Sequence, residues 1–442
     1  MKQGKAVLRK EDNKLRPEDR PAHDWYRFVL SFPPHLVRTY LTRFDANERS
    51  QVLDPFCGTG TTLVECKKHG VPSVGIEANP LAAFASRTKI DWSVDPEALL
   101  HHARDIAAEA TRRLRADGYS ERGRLVHFGE CNFNRPALRE LPDAAAALLL
   151  ANSISPLPLH RTLVLMEVLQ ERNDERFAGH ERLALARSTV YENSNLHFGP
   201  EVGVSEPKRD APVISNWLAT LLRYGADLGA LKARASTKAI VHLGDSRNAS
   251  DYLRPNSIDV VITSPPYPNE KDYSRTTRLE SVLLGFMHDK AGVRAMKKTF
   301  VRSNTRSVYT TDDDHLYVAG NPEVERIANE IEARRIALQK TSGFERQYHR
   351  VTKLYFGGMA KHLAGLAPIL RSGAQLAYVV GDQASYLRIM IRTGELLADI
   401  AKSIGYEVVG IDLFRTRLAT ATREQLREEV VILRWPGATG RE

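Results

Sequence analysis

Asp54, Pro55, Phe56, Cys57, Gly58, Thr59, Gly60, Thr61 and Thr62 follow directly behind the apolar pair Val52-Leu53, where a strand must pass into a helix. Glycines at such a point let the backbone approach a ligand that a β-carbon would hold off, which suits a nucleotide-like cofactor. Taken alone, they would serve a tight turn equally well. No Lys follows them at the spacing of a phosphate-binding P-loop, so the ligand need not be a phosphate. Glu77 closes the next apolar run about twenty residues on, where a carboxylate can accept hydrogen bonds from both hydroxyls of a ribose. Asp245, in HLGDS, ends a third run and could receive an adenine amino group.

Thr263-Ser264-Pro265-Pro266-Tyr267 is the sharpest element. Successive prolines fix the backbone and remove N–H donors, so the Ser264 hydroxyl and the Pro265 carbonyl can both face a cavity as acceptors. An exocyclic amino group has two N–H bonds to give such a pair. Holding both turns the nitrogen lone pair toward an incoming methyl group and stabilises the positive charge that develops. Tyr267 adds a flat face on which a base drawn out of a duplex could stack. A strand-terminating turn would explain the prolines, but not their combination with the acceptor and the ring.

These residues need strands that end side by side. SQVLDPFCGTGTTLVECKKHG and VPSVGIEANPLAAFASRTKI are two strand-turn-helix units in succession, which argues for a parallel sheet covered by helices. Ahead of them, WYRFVLSFPPHLVRTYLTRF leads into an amphipathic helix with Leu36, Val37, Tyr40, Leu41 and Phe44 at helical spacing. KAIVHLGDS, SIDVVITSPPY, AQLAYVVGD, YEVVGIDLFRT and REEVVILRW read as the remaining strands. The organisation expected is a mobile polar arm over 1–22, with folding starting near Trp25, and a first half of the sheet domain over 23–92. A mainly helical insertion follows over 93–237, without strand signal until about residue 238 and with an exposed polar loop at YENSNLHFGPEVGVSEPKRDAPV. The second half runs over 238–435 with an irregular excursion at 273–350, and 436–442 is a tail.

Composition allows this plan. A chain of 442 residues, 42% hydrophobic and 26% charged, can bury a large core, and 63 Lys+Arg against 54 Asp+Glu gives a formal charge of +9, which favours a polyanionic partner. Cys57, Cys66 and Cys131 form neither a CxxC pair nor an even framework, so free thiols in a reducing compartment are expected and a structural zinc site is not. With no apolar run of spanning length, the expectation is a cytoplasmic protein without membrane contact.

The combination of VLDPFCGTGTTLVECKKHG, GIEANP, HLGDS and TSPPY resembles the amino-methylating DNA methyltransferases of the cytosine-N4 and adenine-N6 group, over residues 23–92 and 238–435. SFPPHLV resembles the helix-leading segment that completes the cofactor pocket in that group. The resemblance implies an α/β, Rossmann-like S-adenosylmethionine-dependent methyltransferase fold: a mainly parallel seven-stranded sheet ending in an antiparallel strand, plus the helical insertion. It implies S-adenosylmethionine as methyl donor, S-adenosylhomocysteine as product and no metal. Phe56, Gly58 and Gly60 would surround the methionine part, with Asp54, Thr61 and Thr62 completing that turn. Glu77 would hold the ribose, Asp245 would lie beside the adenine, and Phe32 with Pro33 would border the cofactor from the other side. Ser264, Pro265, Pro266 and Tyr267 would form the base pocket. Ser rather than Asp before Pro-Pro-Tyr resembles the cytosine-N4 members more than most adenine-N6 members, although either side chain can accept the hydrogen bond.

The implied partner is double-stranded DNA, with base flipping, and in a restriction-modification setting a cognate endonuclease; an epigenetic role and the oligomeric state, monomer or dimer, stay open. Target recognition could reside in 93–237 or in 273–350. Lys208 and Arg209 from the first, or Lys297, Lys298, Arg302 and Arg306 from the second, could contact phosphates. Rival readings are an adenine-N6 enzyme, a methyltransferase acting on structured RNA, and a non-catalytic DNA-binding subunit. Carbon-5 cytosine methylation would need a cysteine nucleophile, and none of the three cysteines is suitably placed.

Overall fold

A computed structural model describes residues 15–27, 31–121, 137–199, 201–269, 271–418 and 425–437. Its centre is a seven-stranded sheet built from β1 (Val52–Asp54), β2 (Ser73–Glu77), β5 (Ala239–Leu243), β6 (Ile258–Thr263), β7 (Leu370–Gly381), β8 (Glu407–Leu418) and β9 (Gln425–Arg434). The order across it is β5-β2-β1-β6-β7-β9-β8. Strands β5, β2, β1, β6 and β7 are parallel to their neighbours, and β9 runs antiparallel to both β7 and β8. This is the expected architecture, with the chain's last strand as the antiparallel one. The three residues of β1 are fully buried, as befits a central strand covered on both faces.

Strand order fixes where a ligand can sit. The chain moves from β1 outward to β2 and β5, then returns to lay β6 on the other side of β1, so β1 and β6 flank the point where connections diverge to opposite faces. A crevice opens beyond the carboxyl ends of strands at such a switch point. Both segments singled out for chemistry begin there.

Helices α1 (Pro34–Arg43), α2 (Thr61–Lys68) and α3 (Pro80–Lys89) belong to the first half. Between β2 and β5 lie α4 (Pro96–Ala116), α5 (Pro156–Glu171), α6 (Ala178–Ser188) and α7 (Val213–Leu231). These share one hydrophobic core with α2 and α3: Leu63, Val64, Leu81 and Ala85 pack in the same cluster as Leu99, Val164, Leu183 and Trp217. On the other face, α8 (Tyr348–Leu366) and α9 (Thr393–Ile404) cover β6 and β7 through Tyr355, Phe356, Met359, Leu396 and Ile400. No described helix is long and apolar enough to cross a membrane.

Two expectations need correction. The polar stretch after residue 190 is not simply an exposed loop, and strand structure appears before residue 238. Asn193, Ser194 and Asn195 are buried, and β3 (Leu196–Phe198) pairs antiparallel with β4 (Val202–Val204). The short LHF and VGV runs are too brief to stand out against their polar flanks. Ordered structure also begins ahead of Trp25: Pro17–Asp19 forms a 3-10 turn, and Asp19 and His23 are buried. The cause is Glu65 on α2. That carboxylate is fully buried, and it accepts from His23 Nε2 at 2.7 Å and from Arg38 at 2.7 Å, with Arg38 also holding Asp19. A buried anion must be paired, and the pairing draws in the segment before Trp25. Residues 1–14 of the expected arm, and Cys131, lie outside the described residues.

Candidate active site

The site starts from the turn after β1. Gly58 and Gly60 take φ of 52° and 85°, a region where a β-carbon strains the backbone. Gly60 is further required by packing, since a β-carbon there would lie 2.4 Å from Ser86 Oγ on α3. This conformation turns the Gly58 N–H onto Glu77 Oε2 at 2.8 Å, while Glu77 Oε1 accepts from Asn79 N at 2.7 Å. Each carboxylate oxygen thus has one donor and a lone pair left for another. Burial pushes the Glu77 carboxyl up to about 7, against the backbone N–H groups of Asn79, Gly58 and Ala78 that hold it down.

The turn after β6 is tied to the first one from behind. Asp54 is fully buried at the end of β1, and its Oδ1 accepts from Thr263 Oγ1 at 2.6 Å and from Phe56 N at 3.1 Å. Thr62 Oγ1 donates to the Ile262 carbonyl at 3.2 Å. The Ser264 hydroxyl donates to Val379 O on β7 at 3.2 Å, which commits its proton and leaves the oxygen's lone pairs to act as acceptors. The Tyr267 ring lies over Gly381, where a β-carbon would meet it at 3.1 Å.

Both turns open into one cavity of about 250 Å³. Its lining includes Phe32 and Pro33; Phe56, Gly58 and Thr61; Glu77; and Ser264, Pro265, Pro266 and Tyr267. Ten of the residues nominated by sequence therefore face a common space. Four others do not line it. Asp54 and Thr62 stand behind the turns as struts, and Gly60 shapes the first turn. Asp245 is turned away: its carboxylate caps the following turn and grips Arg247 through both oxygens, and its neighbours Gly244 and Ser246 line the cavity instead. A carboxylate held by a guanidinium has little to offer an adenine amino group, so that expectation is corrected.

The expected phosphate contacts are also redistributed. Lys297 and Arg302 are buried; Lys297 pairs with Asp272, and Arg302 forks onto Asp312 and donates to the carbonyls of Lys297, Lys298 and Phe300. Both are fasteners inside the protein and cannot reach a phosphate. Lys298, Arg306 and Arg209 are exposed, and the Lys208 ammonium donates to Tyr191 O at 3.0 Å.

What the fasteners hold is a wall that sequence reasoning missed. Phe300, Val301, Ser303, Asn304 and Ser307 line the cavity from the excursion, and Phe414, Arg415 and Glu428 line it from β8 and β9. No motif marks these positions, because only the strand order brings segments so distant in sequence together. His362 on α8 was missed too. It is buried, its Nδ1 faces Ser246 O at 2.9 Å and its Nε2 faces Tyr378 OH at 2.8 Å, and its ring packs 4.7 Å from that of Phe56. Burial lowers its pKa to about 4, so a neutral imidazole buttresses Phe56.

A switch-point crevice bordered by a glycine turn, a strand-end carboxylate and a proline turn, on a sheet whose last strand alone is antiparallel, is the arrangement of a Rossmann-like methyltransferase fold. The comparisons are more specific. A family model described as DNA methylase, of the N6/N4 methyltransferase type, matches residues 6–84. The Type II methyltransferase M.BsoBI of Geobacillus stearothermophilus is 25% identical over 444 residues, covering 93% of this chain and 84% of its own. The Type II methyltransferase M.AvaI of a Nostoc species is 23% identical over 449 residues, covering 95% and 87%. A tRNA (guanine(10)-N2)-dimethyltransferase of Methanothermobacter thermautotrophicus shares 32% identity over 104 residues, 23% of this chain and 30% of that one. Over most of its length the chain is thus similar to Type II methyltransferases, and its first part matches the DNA methylase model.

Proposed function

We propose that the protein methylates the exocyclic N4 amino group of a cytosine flipped out of double-stranded DNA, using S-adenosylmethionine, in a restriction-modification or epigenetic setting. The observation that carries this reading is that the Phe56–Thr61 turn and the Ser264–Tyr267 turn share one cavity.

The residues present fit that cofactor. Glu77 is a half-buried carboxylate short of donors, a chemical match for a ribose diol, and Gly58 leaves the adjoining backbone uncovered. Bound there, the cofactor would supply an electrophilic methyl on a sulfonium sulfur. Phe56, Phe32 and Pro33 give an apolar border that excludes water from the charged centre. Ser264 Oγ and the Pro265 carbonyl take the two amino protons and so fix the direction of the nitrogen lone pair, while Tyr267 stacks on the base. Ser before Pro-Pro-Tyr favours cytosine, and a shorter serine leaves more room beneath the amine than an aspartate would.

The Glu77 carboxyl yields a pH prediction with a definite sign. Its folded pKa is raised, so it is ionised only above about 7, and the ionised form is the better partner for two hydroxyl donors. Cofactor affinity should be level from pH 8 upward and weaken roughly tenfold by pH 6. Isothermal titration across this range checks it, and Glu77→Gln should give weaker, pH-independent binding. An equally flat profile in the wild type would remove Glu77 from the ribose site.

Incubating the protein with duplex DNA and methyl-labelled cofactor, then digesting to nucleosides, tests the substrate. The proposal expects label in N4-methylcytosine. Label in N6-methyladenine would transfer the same mechanism to adenine, and label only on structured RNA would overturn the DNA reading. Tyr267→Ala should keep cofactor affinity and reduce the emission rise of a fluorescent base placed at the target position. An unchanged rise would place the stacking face elsewhere.

A further inference from the structure

Ser264 and the Pro265 carbonyl cannot by themselves tell cytosine from adenine, because both bases present the same exocyclic amine. Once that amine is held, a cytosine has two acceptors left, N3 and O2, side by side on one edge. Adenine has N1 followed by a C–H. A donor pair beyond the amine site would therefore separate the two, and among the described residues that line the cavity Arg415 alone carries a positive charge.

The sheet sets Arg415 beside the base end of the cavity. Gly381 on β7 pairs with Glu428 on β9, and Glu428 pairs with Arg415 on β8, so the three stand in one row across the sheet and share a face. The Tyr267 ring lies over the first of them: a β-carbon on Gly381 would meet that ring at 3.1 Å and the Glu428 side chain at 3.4 Å. Ser264 is anchored two residues earlier on the same strand, at Val379 O. Arg415 thus stands two strands from the amine acceptors, about 10 Å at the usual strand spacing, which leaves room for a pyrimidine between them. The register slips by one residue between Leu413 and Arg415, and this bulge lets Phe414 and Arg415, consecutive in sequence, both line the cavity. Glu428 grips the guanidinium by one side only, accepting from Nε at 2.6 Å and from Nη2 at 2.8 Å. That fork uses two of the five N–H donors and fixes the plane, so the Nη1 edge is held in place for a ligand.

We infer that Arg415 is the specificity-determining residue that selects cytosine, donating to O2 and N3 of the flipped base. This rests on the cytosine-N4 reading given above and deepens it. A planar guanidinium matches two adjacent acceptors, as it does O6 and N7 of guanine. Glu428 is the positioning residue that sets the plane of the donors.

The test compares two duplexes, one with cytosine at the target and one with the C-nucleoside of 2-aminopyridine, which keeps the amine and the neighbouring ring nitrogen but has no 2-oxo group. The ratio of kcat/KM on the two is read for each protein, so that the intrinsic reactivity of the amines cancels between proteins. Arg415→Met should shrink the wild-type ratio by about 10–100-fold, chiefly through loss on cytosine, with cofactor affinity by calorimetry unchanged. Arg415→Met with Glu428→Gln, which leaves no carboxylate unpaired, should show the same shrinkage with a melting temperature near that of the wild type. Arg417→Met, an equal charge change on the same strand, should keep the wild-type ratio. If the wild type methylates cytosine and both Arg415 variants, folded, keep its ratio, the inference is wrong while the enzyme reading stands. A fall in cofactor affinity with equal rate losses on both targets would assign Arg415 to the cofactor instead and overturn it. Wild-type activity on adenine alone would remove the cytosine reading, and the inference with it.

Discussion

Ser264→Ala should lower methyl transfer by about 10²–10³-fold while leaving cofactor affinity nearly unchanged. The hydroxyl donates to Val379 O and therefore presents only lone pairs toward the cavity. Removing it takes away one of two acceptors for the amino protons, an interaction that strengthens as the nitrogen gains positive charge. The loss belongs in kcat, because in the proposed site the base would still stack on Tyr267 and the Pro265 carbonyl would still accept from one amino N–H. Single-turnover rates on duplex DNA, read beside calorimetry of the cofactor, separate the two effects. A rate within a few-fold of wild type would remove Ser264 from the chemistry; equal losses in rate and cofactor affinity would make it a structural residue of the turn.

Gly58→Val should act at the other turn and in the opposite sense, weakening cofactor binding on the order of 100-fold. The residue lines the cavity at φ 52°, where a branched side chain costs about 1–3 kcal/mol. Its N–H would also lose its aim at Glu77 Oε2. Calorimetry gives the affinity, and a thermal melt shows whether the fold survives. Unchanged affinity in a folded variant would reject the turn as the cofactor's seat.

Much of this site could be read before any coordinates. A motif is legible when its chemistry is local, and DPFCGTGTT and TSPPY each carry turn, acceptor and ring within a few neighbouring residues. Their meeting in space was legible as well, because both follow apolar strands and a parallel sheet ends its strands on one side. Local reading failed where a residue's role depends on a distant partner. Asp245 is held by a near neighbour, Arg247, but that guanidinium is itself placed by the distant Asp314. Lys297 and Arg302 looked like phosphate contacts, yet Asp272 and Asp312 hold them inside. The reverse error hid Phe414, Arg415 and Glu428, whose setting exists only once β8 and β9 extend along the cavity. His362 is one more case: an unremarkable helix histidine in sequence, it becomes the support beneath Phe56 when α8 docks on β7.

The central claim is that the turns after β1 and β6 form a single catalytic space for an amine and its methyl donor. Sequencing of genomic DNA by a method that reports modified bases, from cells expressing wild type and from cells expressing Ser264→Ala at equal level, tests it most directly. The claim predicts one short motif modified at an amino nitrogen in the first sample and unmodified in the second. The same modification pattern in both samples, or none in either with folded protein present, would contradict it.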